Sequence, residues 1–256
     1  MNAIDLAQLP LWAGRAMWVL ARVAGLCLVA PVFGATAAPM QVRVAVVVLL
    51  TLVLLPLAPG RVDPTSAAGV ATLVSQVLVG AAIGFVLWLG FQAVAYGGQL
   101  VAQGMGLGFA ESVDPASGGG SPALGQFYLL LVTLLFLAMD GHLRLIALLA
   151  ESFRRLPPGA GNVTPAGLHA VALFGGELFL GAVRVALPAL TALLVVNMGF
   201  AAISRAAPSM NLFAVGFPIT LCLGFVALWL SLRSLPGAFG AIEDRAWALM
   251  RELAGG

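Results

Sequence analysis

Charged residues and cysteine are scarce in this sequence, and lysine is absent. Only 9% of the 256 residues are charged, whereas 61% are hydrophobic, and all twelve basic residues are arginine. A soluble globular domain is about a quarter charged, because it must cover its surface with polar groups. The composition therefore excludes an ordinary soluble domain and predicts a protein embedded in a membrane or enclosed by partner proteins.

The sequence also lacks the patterns of nucleotide and disulfide chemistry. Without lysine, no phosphate-binding loop of the G-K-[ST] type can form. The glycines Gly104, Gly106 and Gly108 follow no predicted strand and lack the third glycine of a dinucleotide-binding fingerprint. Cys27 and Cys222 each lie alone in an apolar run, which favours small core residues over a disulfide or a metal ligand. We therefore expect no nucleotide cofactor and no disulfide.

Catalytic and metal-binding constellations are equally hard to find. His142 and His169 lie far apart, with no cysteine or carboxylate at ligand spacing. Glu111 and Asp114 are three residues apart beside Pro115, and paired carboxylates can be catalytic, but in a glycine-rich loop they more often cap helices or stay solvated. The net charge of +2 is too small for a nucleic-acid partner. The sequence predicts no enzyme and no resident cofactor or metal.

Long apolar segments dominate what is present. A helix that spans a bilayer needs roughly 20 apolar residues, and the alternation of an outer-membrane barrel is missing here. We therefore predict an all-α integral membrane protein with kinked helical hairpins. The stretches without a charged residue are 23–42, 44–60, 64–110, 115–139, 156–176, 185–204 and 206–232.

Proline and glycine suggest where these helices begin and end. The first helix is predicted to end near Val32 and the next to start at the Pro39–Met40 corner. As a single straight helix, 64–110 would reach about 70 Å, so it must fold back or project beyond the lipid. Gly80 and Gly84 have the spacing that lets two helix backbones approach closely.

Four helical segments are predicted in the rest of the chain before its tail. We expect one helix over 123–150, separate helices over 168–186 and 188–204, and a long helix over 212–233 that Asn211 caps. The tail is predicted to be a short amphipathic helix, 238–253. Its apolar face comprises Phe239, Ile242, Ala246, Leu249 and Leu253.

Several ionisable residues lie in or against the apolar segments. An ion at the bilayer centre costs at least about 2.5 kcal/mol, so each needs an explanation. Either the side chains reach the membrane surface, or the helices pack in a protein assembly that supplies partners or water. We predict inter-helix or inter-subunit pairing for Arg22, Arg43, Asp140, His142, Glu177 and Arg184.

A glycine-rich segment interrupts the apolar chain near its middle. GMGLGFAESVDPASGGGSP, residues 104–122, contains six glycines and two prolines. Unpaired backbone is too costly in lipid, so such a segment at membrane depth is buried in protein or lines water. A surface loop between two spanning helices is the simpler alternative, and composition leaves both open.

A series of sequence blocks runs in order along the chain from about residue 10 to 235. The blocks are RVAGLCLVAPVFG (22–34), PMQVR (39–43), GMGLGFA (104–110), VDP (113–115), LGQF (124–127), LF (135–136), DGH (140–142), ESF (151–153), LPPG (156–159) and PSMNLFAVGFP (208–218). Together they resemble the FliR family of the bacterial flagellar export apparatus, which is homologous to the SctT family of virulence type III secretion.

This resemblance implies an inner-membrane subunit of the flagellar basal body. Members assemble with FliP and FliQ into a pore for unfolded flagellar substrates, with FlhB at its entrance. It also implies one export-gate domain over 1–256, with a FliP-like part at about 10–185, a FliQ-like hairpin at about 186–235 and the tail helix at 238–253.

The resemblance further implies that residues 106–122 contribute a plug near the pore constriction. In that role Phe109 and Val113 would seal the lumen, while Glu111 and Asp114 would anchor the loop. The glycine run is richer here than we expect of the family. The plug residues implied are Gly106, Gly108, Phe109, Glu111, Val113, Asp114, Pro115, Gly118, Gly119 and Gly120.

Other readings of the same features stay open. A virulence export system would use a similar subunit. A secondary transporter also has broken helices and charges at mid-membrane, but it would move a small solute as an isolated chain. A membrane scaffold would differ only in lacking a gate.

Overall fold

The computed structural model describes residues 9–34, 38–58, 66–107, 123–159, 164–206 and 212–255, and these are mostly helical, with no strand among them. This confirms the predicted all-α class. Short 3-10 turns follow the second and seventh helices, at Leu55–Leu57 and Leu232–Ser234. The α-helices are α1 (Leu9–Val29), α2 (Met40–Leu54), α3 (Ala67–Gly104), α4 (Ala123–Ala138), α5 (Gly141–Arg155), α6 (Pro165–Ala206), α7 (Leu212–Ser231) and α8 (Leu235–Leu253).

The start of α2 matches the sequence prediction, and the end of α1 lies a few residues earlier than predicted. Pro39 precedes the first residue of α2 with an extended backbone, and its missing amide hydrogen costs nothing there, because the first amides of a helix have no partner within the helix. The helix α1 ends at Val29 rather than near Val32. Pro31 explains the difference, because the residue before a proline is disfavoured in helical conformation.

The helix α3 runs without a break for 38 residues, so the alternative that 64–110 folds back is wrong. At about 1.5 Å per residue it is roughly 57 Å long, well beyond the hydrocarbon core of a bilayer. It ends in a Schellman motif. Gly106 adopts φ of 80° and donates to the carbonyl of Gln103, and Leu107 donates to the carbonyl of Ala102, each over 3.0 Å.

Two predicted helix boundaries are wrong, each for a local reason. The segment predicted as one helix, 123–150, is broken at Asp140, which adopts the left-handed conformation with φ of 57°. Asp tolerates that conformation better than most residues, and the following Gly141 packs closely against the Phe136 ring. Conversely, α6 continues through Pro188, although a boundary was predicted there. Proline is tolerated within long apolar helices, where neighbouring groups satisfy the freed carbonyl.

The chain forms two compact units, each assembled from separate stretches of sequence. The first contains Met1–Trp88, Phe136–Phe174 and Arg245–Gly256, and the second contains Leu89–Leu135 and Gly175–Asp244. Fully buried side chains of the first unit include Trp18, Leu26, Ile83, Leu145 and Phe153.

In the second unit, a few buried aromatic side chains pack within a mainly aliphatic core. Phe91 packs edge-on against Phe239 with ring centroids 5.8 Å apart. Tyr128, only 1% exposed, shares a 3.4 Å hydrogen bond with the Ser231 hydroxyl. Closely packed rings and a satisfied hydroxyl stabilise this interior.

The last long helix starts at Leu212, as predicted, and the predicted amphipathic face of the tail is confirmed. Helix α8 covers the predicted segment and begins slightly earlier, at Leu235. The residues of the predicted apolar face are buried, since a helix places every third or fourth residue on one face. These residues are Phe239, Ile242, Ala246, Leu249 and Leu253.

Among the described residues, four helical stretches are long and apolar enough to cross a membrane: Met40–Leu57, Ala67–Gly104, Pro165–Ala206 and Pro218–Leu253. The consecutive helices α4 and α5, which are bent at the break between them, would add a fifth if they act as one span. The structure thus describes an all-helical protein built for a membrane environment.

Candidate functional site

A buried arginine lies where three parts of the first unit meet. Arg22 of α1 is 0% exposed. Its Nε donates to Gln76 Oε1 of α3 over 2.8 Å, and its Nη1 donates to Ser152 Oγ of α5 over 2.9 Å. Its Nη2 donates to the carbonyl of Leu156 over 2.7 Å, and the guanidinium lies 4.2 Å from the centroid of the Phe153 ring. We call these five residues the Arg22 cluster.

Hydrogen bonds and an aromatic face, rather than a carboxylate, surround this cation within the described part of the first unit. Burial lowers the pKa of Arg22 to about 10, so the guanidinium is still charged at neutral pH. A buried charge is tolerated only when its donors are satisfied, and the three bonds and the ring supply that compensation. We expected inter-helix or inter-subunit pairing for this charge. For Arg22, groups on other helices of the same chain supply the hydrogen bonds.

Glycines allow α1 and α3 to approach beside this cluster. A methyl group added to Gly80 would collide with the backbone carbonyl of Arg22, and one added to Gly84 would lie 2.8 Å from the carbonyl of Leu26. On the facing helix, a methyl group on Gly25 would collide with the carbonyl of Val77. Backbone-to-backbone contact of this kind needs small residues on both helices. Sequence spacing indicated Gly80 and Gly84 but missed Gly25.

The other charges singled out from sequence have more open surroundings. In the second unit, Arg184 Nη1 lies 3.9 Å from Glu177 Oε2, and the two side chains are 37% and 19% exposed. In the first unit, Arg43 Nε donates to the carbonyl of Ala38 over 3.1 Å. Asp140 is exposed and precedes α5, where its carbonyl accepts from the amides of Leu143 and Arg144.

His142 is partly buried, and its Nδ1 has no hydrogen-bond partner among the described residues. The pairing proposed for His142 and Asp140 from the sequence therefore stays a prediction. Sequence reasoning also missed Gln76, Ser152 and Phe153, because the hydrogen-bond partners of Arg22 lie 54 to 134 positions away in the chain. The one signal in the sequence that could have indicated the partners of Arg22 is the presence of polar residues inside apolar helices.

Most of the predicted plug lies outside the described residues, which resume at 123. Gly106 is described, and there its positive φ serves to terminate α3. In the preceding turn, Met105 is fully buried and contacts Gly224 of α7, where an added methyl group would lie 2.7 Å from the Met105 Cγ. The end of α3 is thus fixed in position directly before the segment. The residues outside are Gly108, Phe109, Glu111, Val113, Asp114, Pro115, Gly118, Gly119 and Gly120.

Comparison with known proteins places this all-helical membrane protein among export proteins. The family described as bacterial export proteins, family 1, matches residues 13–245. The chain therefore belongs to that family, which confirms the resemblance found in the sequence.

Its relatives align over most of their length. The chain is 38% identical over 226 residues to the flagellar biosynthetic protein FliR of Pectobacterium carotovorum subsp. carotovorum, covering 88% of this chain and 87% of that protein. It is 34% identical over 229 residues to FliR of Escherichia coli (strain K12), covering 89% and 87%. FliR of Caulobacter vibrioides is 31% identical over 221 residues, covering 85% and 88%.

Proposed function

We propose that this protein is a subunit of the flagellar protein export gate in the bacterial inner membrane. The similarity to proteins named FliR, spread over nearly nine-tenths of the chain, is the observation that carries the proposal. In this role it assembles with FliP-like, FliQ-like and FlhB-like subunits and helps to form the passage for unfolded flagellar substrates. The relatives' flagellar names favour this role over virulence secretion.

The exposed apolar surface supports a protein that is surrounded by lipid and partner subunits. On α2, Val48, Leu49 and Leu52 are 46%, 62% and 61% exposed. On α6, Val195 and Met198 are 70% and 66% exposed. Such contiguous apolar faces are unfavourable in water and must be covered. We assign the region of about 10–185 to a FliP-like part and 186–235 to a FliQ-like hairpin within this assembly, followed by the tail helix 238–253.

Loss of the gene tests the proposal directly. Deleting it from the bacterium that encodes it should abolish flagellar filaments and swimming, and a plasmid copy should restore both. The tagged full-length protein should co-purify with FliP- and FliQ-like subunits. Normal swimming in the deletion strain contradicts the flagellar role, and if secretion of virulence proteins is lost instead, the alternative export system is the correct one. Transport of a small solute by the isolated chain favours a transporter.

We further propose that residues 106–122 close the passage. A glycine-rich segment can fill a lumen and move aside at low energetic cost, because it makes few strong contacts. Phe109 and Val113 supply apolar groups for a seal, and Glu111 and Asp114 can accept hydrogen bonds from arginines or helix N-termini. The Schellman motif supports this assignment, because it ends α3 at the start of the segment and fixes its origin.

Ion conductance tests the plug separately from assembly. Deleting Gly118–Gly120 should raise ion leakage through the purified, reconstituted complex while FliP- and FliQ-like subunits still co-purify. Gly237→Ala is the matched control, because Gly237 is exposed and an added methyl group there meets no atom within 4 Å. Unchanged conductance in an assembled deletion variant contradicts the plug.

A further inference from the structure

A basic pocket lies between α5 and the C-terminal part of α8 in the first unit. Its volume is about 350 Å³, within the usual range for small-ligand sites. We call it the arginine pocket. Its lining residues are Arg144, Ala147, Leu148, Glu151, Arg155, Trp247, Arg251 and Ala254.

Positive charge is in excess in this pocket. Three guanidinium groups face one carboxylate, and that carboxylate is engaged: Arg155 Nε donates to Glu151 Oε1 over 3.0 Å. The Arg144 guanidinium lies 4.7 Å from the centroid of the Trp247 ring. Arg251 is exposed and has no hydrogen-bond or ion-pair partner within the described part of the chain. The pocket therefore keeps donors for an anion.

Helix capping accounts for only some of these arginines. Arg155 and Arg251 lie in the last turns of α5 and α8, where a cation also interacts favourably with the helix dipole. Arg144 lies in the first turn of α5, where the same dipole disfavours a cation. Helix capping therefore does not explain why Arg144 lies against Trp247, where it brings a third guanidinium to the pocket.

The remaining walls of the pocket are apolar. Ala147, Leu148 and Ala254 line it, and Trp247 is only 2% exposed and forms part of its inner surface. Arginine donates pairs of hydrogen bonds to phosphate oxygens, whereas apolar walls favour hydrocarbon. A ligand that satisfies both carries a phosphate and an acyl chain. Inorganic phosphate would use only the basic part.

The position of the pocket in the chain agrees with such a ligand. Arg251 lies near the end of the apolar stretch Pro218–Leu253, and Arg155 ends the bent pair that could form a further span. Arginine and tryptophan at the ends of apolar helices are typical of the membrane surface. Basic pockets between membrane helices are known to hold the headgroups of acidic lipids.

We propose that the arginine pocket binds the phosphate of an acidic phospholipid, with Arg144, Arg155 and Arg251 donating to its oxygens. Glu151 opposes binding through its negative charge and through its ion pair with Arg155. The site lies outside the proposed plug, and the proposal does not depend on the export role.

Native mass spectrometry of the full-length protein, purified with the partners that remain bound, tests the site. Short-chain phosphatidylglycerol should bind, and phosphatidylcholine of the same chain length should bind at least tenfold more weakly. Arg251→Gln should weaken phosphatidylglycerol binding about tenfold, as expected for loss of one hydrogen bond to a charged group. Glu151→Gln should strengthen binding, a change that general unfolding cannot produce.

Matched controls lie outside the pocket. Arg205→Gln removes an exposed arginine from the last turn of α6, and Arg233→Gln removes one that stacks on Trp229 at 5.2 Å, as Arg144 stacks on Trp247. Both should bind phosphatidylglycerol as the unchanged protein does. Equal binding by Arg251→Gln and these controls overturns the proposal. Displacement of the lipid by inorganic phosphate, glycerol 3-phosphate or an acidic peptide at the lipid's own concentration also overturns it.

Discussion

Two regions of the molecule contain glycine and arginine inside an apolar helix. One is the contact between α1 and α3, and the other is segment 175–184 of α6. In the first region, Arg22 is fully buried with three hydrogen bonds, and Gly80 lies directly against the opposite backbone. In the second region, Arg184 is 37% exposed with one ion pair of 3.9 Å, and an added methyl group at Gly176 meets no atom within 4 Å. The same residue types therefore have different physical roles.

This difference shows what makes a polar residue in an apolar helix important for stability. The first region holds together only if several groups are satisfied at once, because a buried donor or acceptor without a partner costs about 1–3 kcal/mol. In the second region each of these groups makes few contacts, so each residue contributes little. Paired substitutions in the two regions test this account.

The largest expected effect is the replacement of the two arginines by methionine. Arg22→Met should lower the free energy of unfolding by about 3–5 kcal/mol, because Gln76, Ser152 and the Leu156 carbonyl lose their donor inside the core. Arg184→Met should change it by no more than about 0.5 kcal/mol. Equilibrium unfolding in mixed micelles, followed by tryptophan fluorescence, measures both. Similar losses in the two variants would remove the distinction between the regions.

The glycines should show the next largest contrast. Gly80→Val should destabilise the protein by about 3 kcal/mol, since the new side chain forces α1 and α3 apart. Gly176→Val changes the helix propensity by a similar amount, but the space around Gly176 is open. The loss in the free energy of unfolding should therefore stay below about 1 kcal/mol. Unfolding of both variants by the same method gives the comparison. If Gly80→Val is tolerated as well as Gly176→Val, the close helix contact is not part of the folded protein.

Substitution of Gln76 sharpens the account of the buried region. Gln76→Leu should cost about 2 kcal/mol, because the Arg22 Nε loses its acceptor. Gln76→Glu should be at least as stable as the unchanged protein. It gives the guanidinium a charged acceptor and removes the Gln76 Nε2 group, which has no partner in the described structure. Thermal unfolding of both variants in detergent checks the order, and a glutamate variant less stable than the leucine variant would contradict it.

Part of this contrast was predictable from sequence. Long charge-free runs predicted the apolar helices, and the spacing of Gly80 and Gly84 predicted a close helix contact, because both signals are local and periodic. The buried face of α8 followed from the same periodicity. The partners of Arg22 could not be predicted, since they lie 54 to 134 positions away and depend on how the helices pack. From the sequence, Arg22 and Arg184 therefore received the same predicted pairing, between helices or between subunits.

The errors in helix boundaries have a related cause. Asp140 interrupts a segment of high helical propensity because it adopts a left-handed conformation. Next to this break, Gly141 packs closely against the ring of Phe136. Pro188 fails to break α6 because local propensity is a weak constraint inside a long apolar helix. In both places the propensity of the local sequence is only a weak constraint on the helix boundary.

The smallest expected effect concerns the ion pair of the exposed region. A double-mutant cycle of Glu177→Gln and Arg184→Gln should give a coupling energy of about 0.5 kcal/mol or less, because the pair is long and its side chains are partly exposed. Raising the salt concentration should reduce the coupling further, since exposed charges are screened by ions. Stability in the same micelles at two salt concentrations measures this. A coupling above about 2 kcal/mol that salt does not change would mean that a partner or lipid buries this surface, and Arg184 would then belong with Arg22.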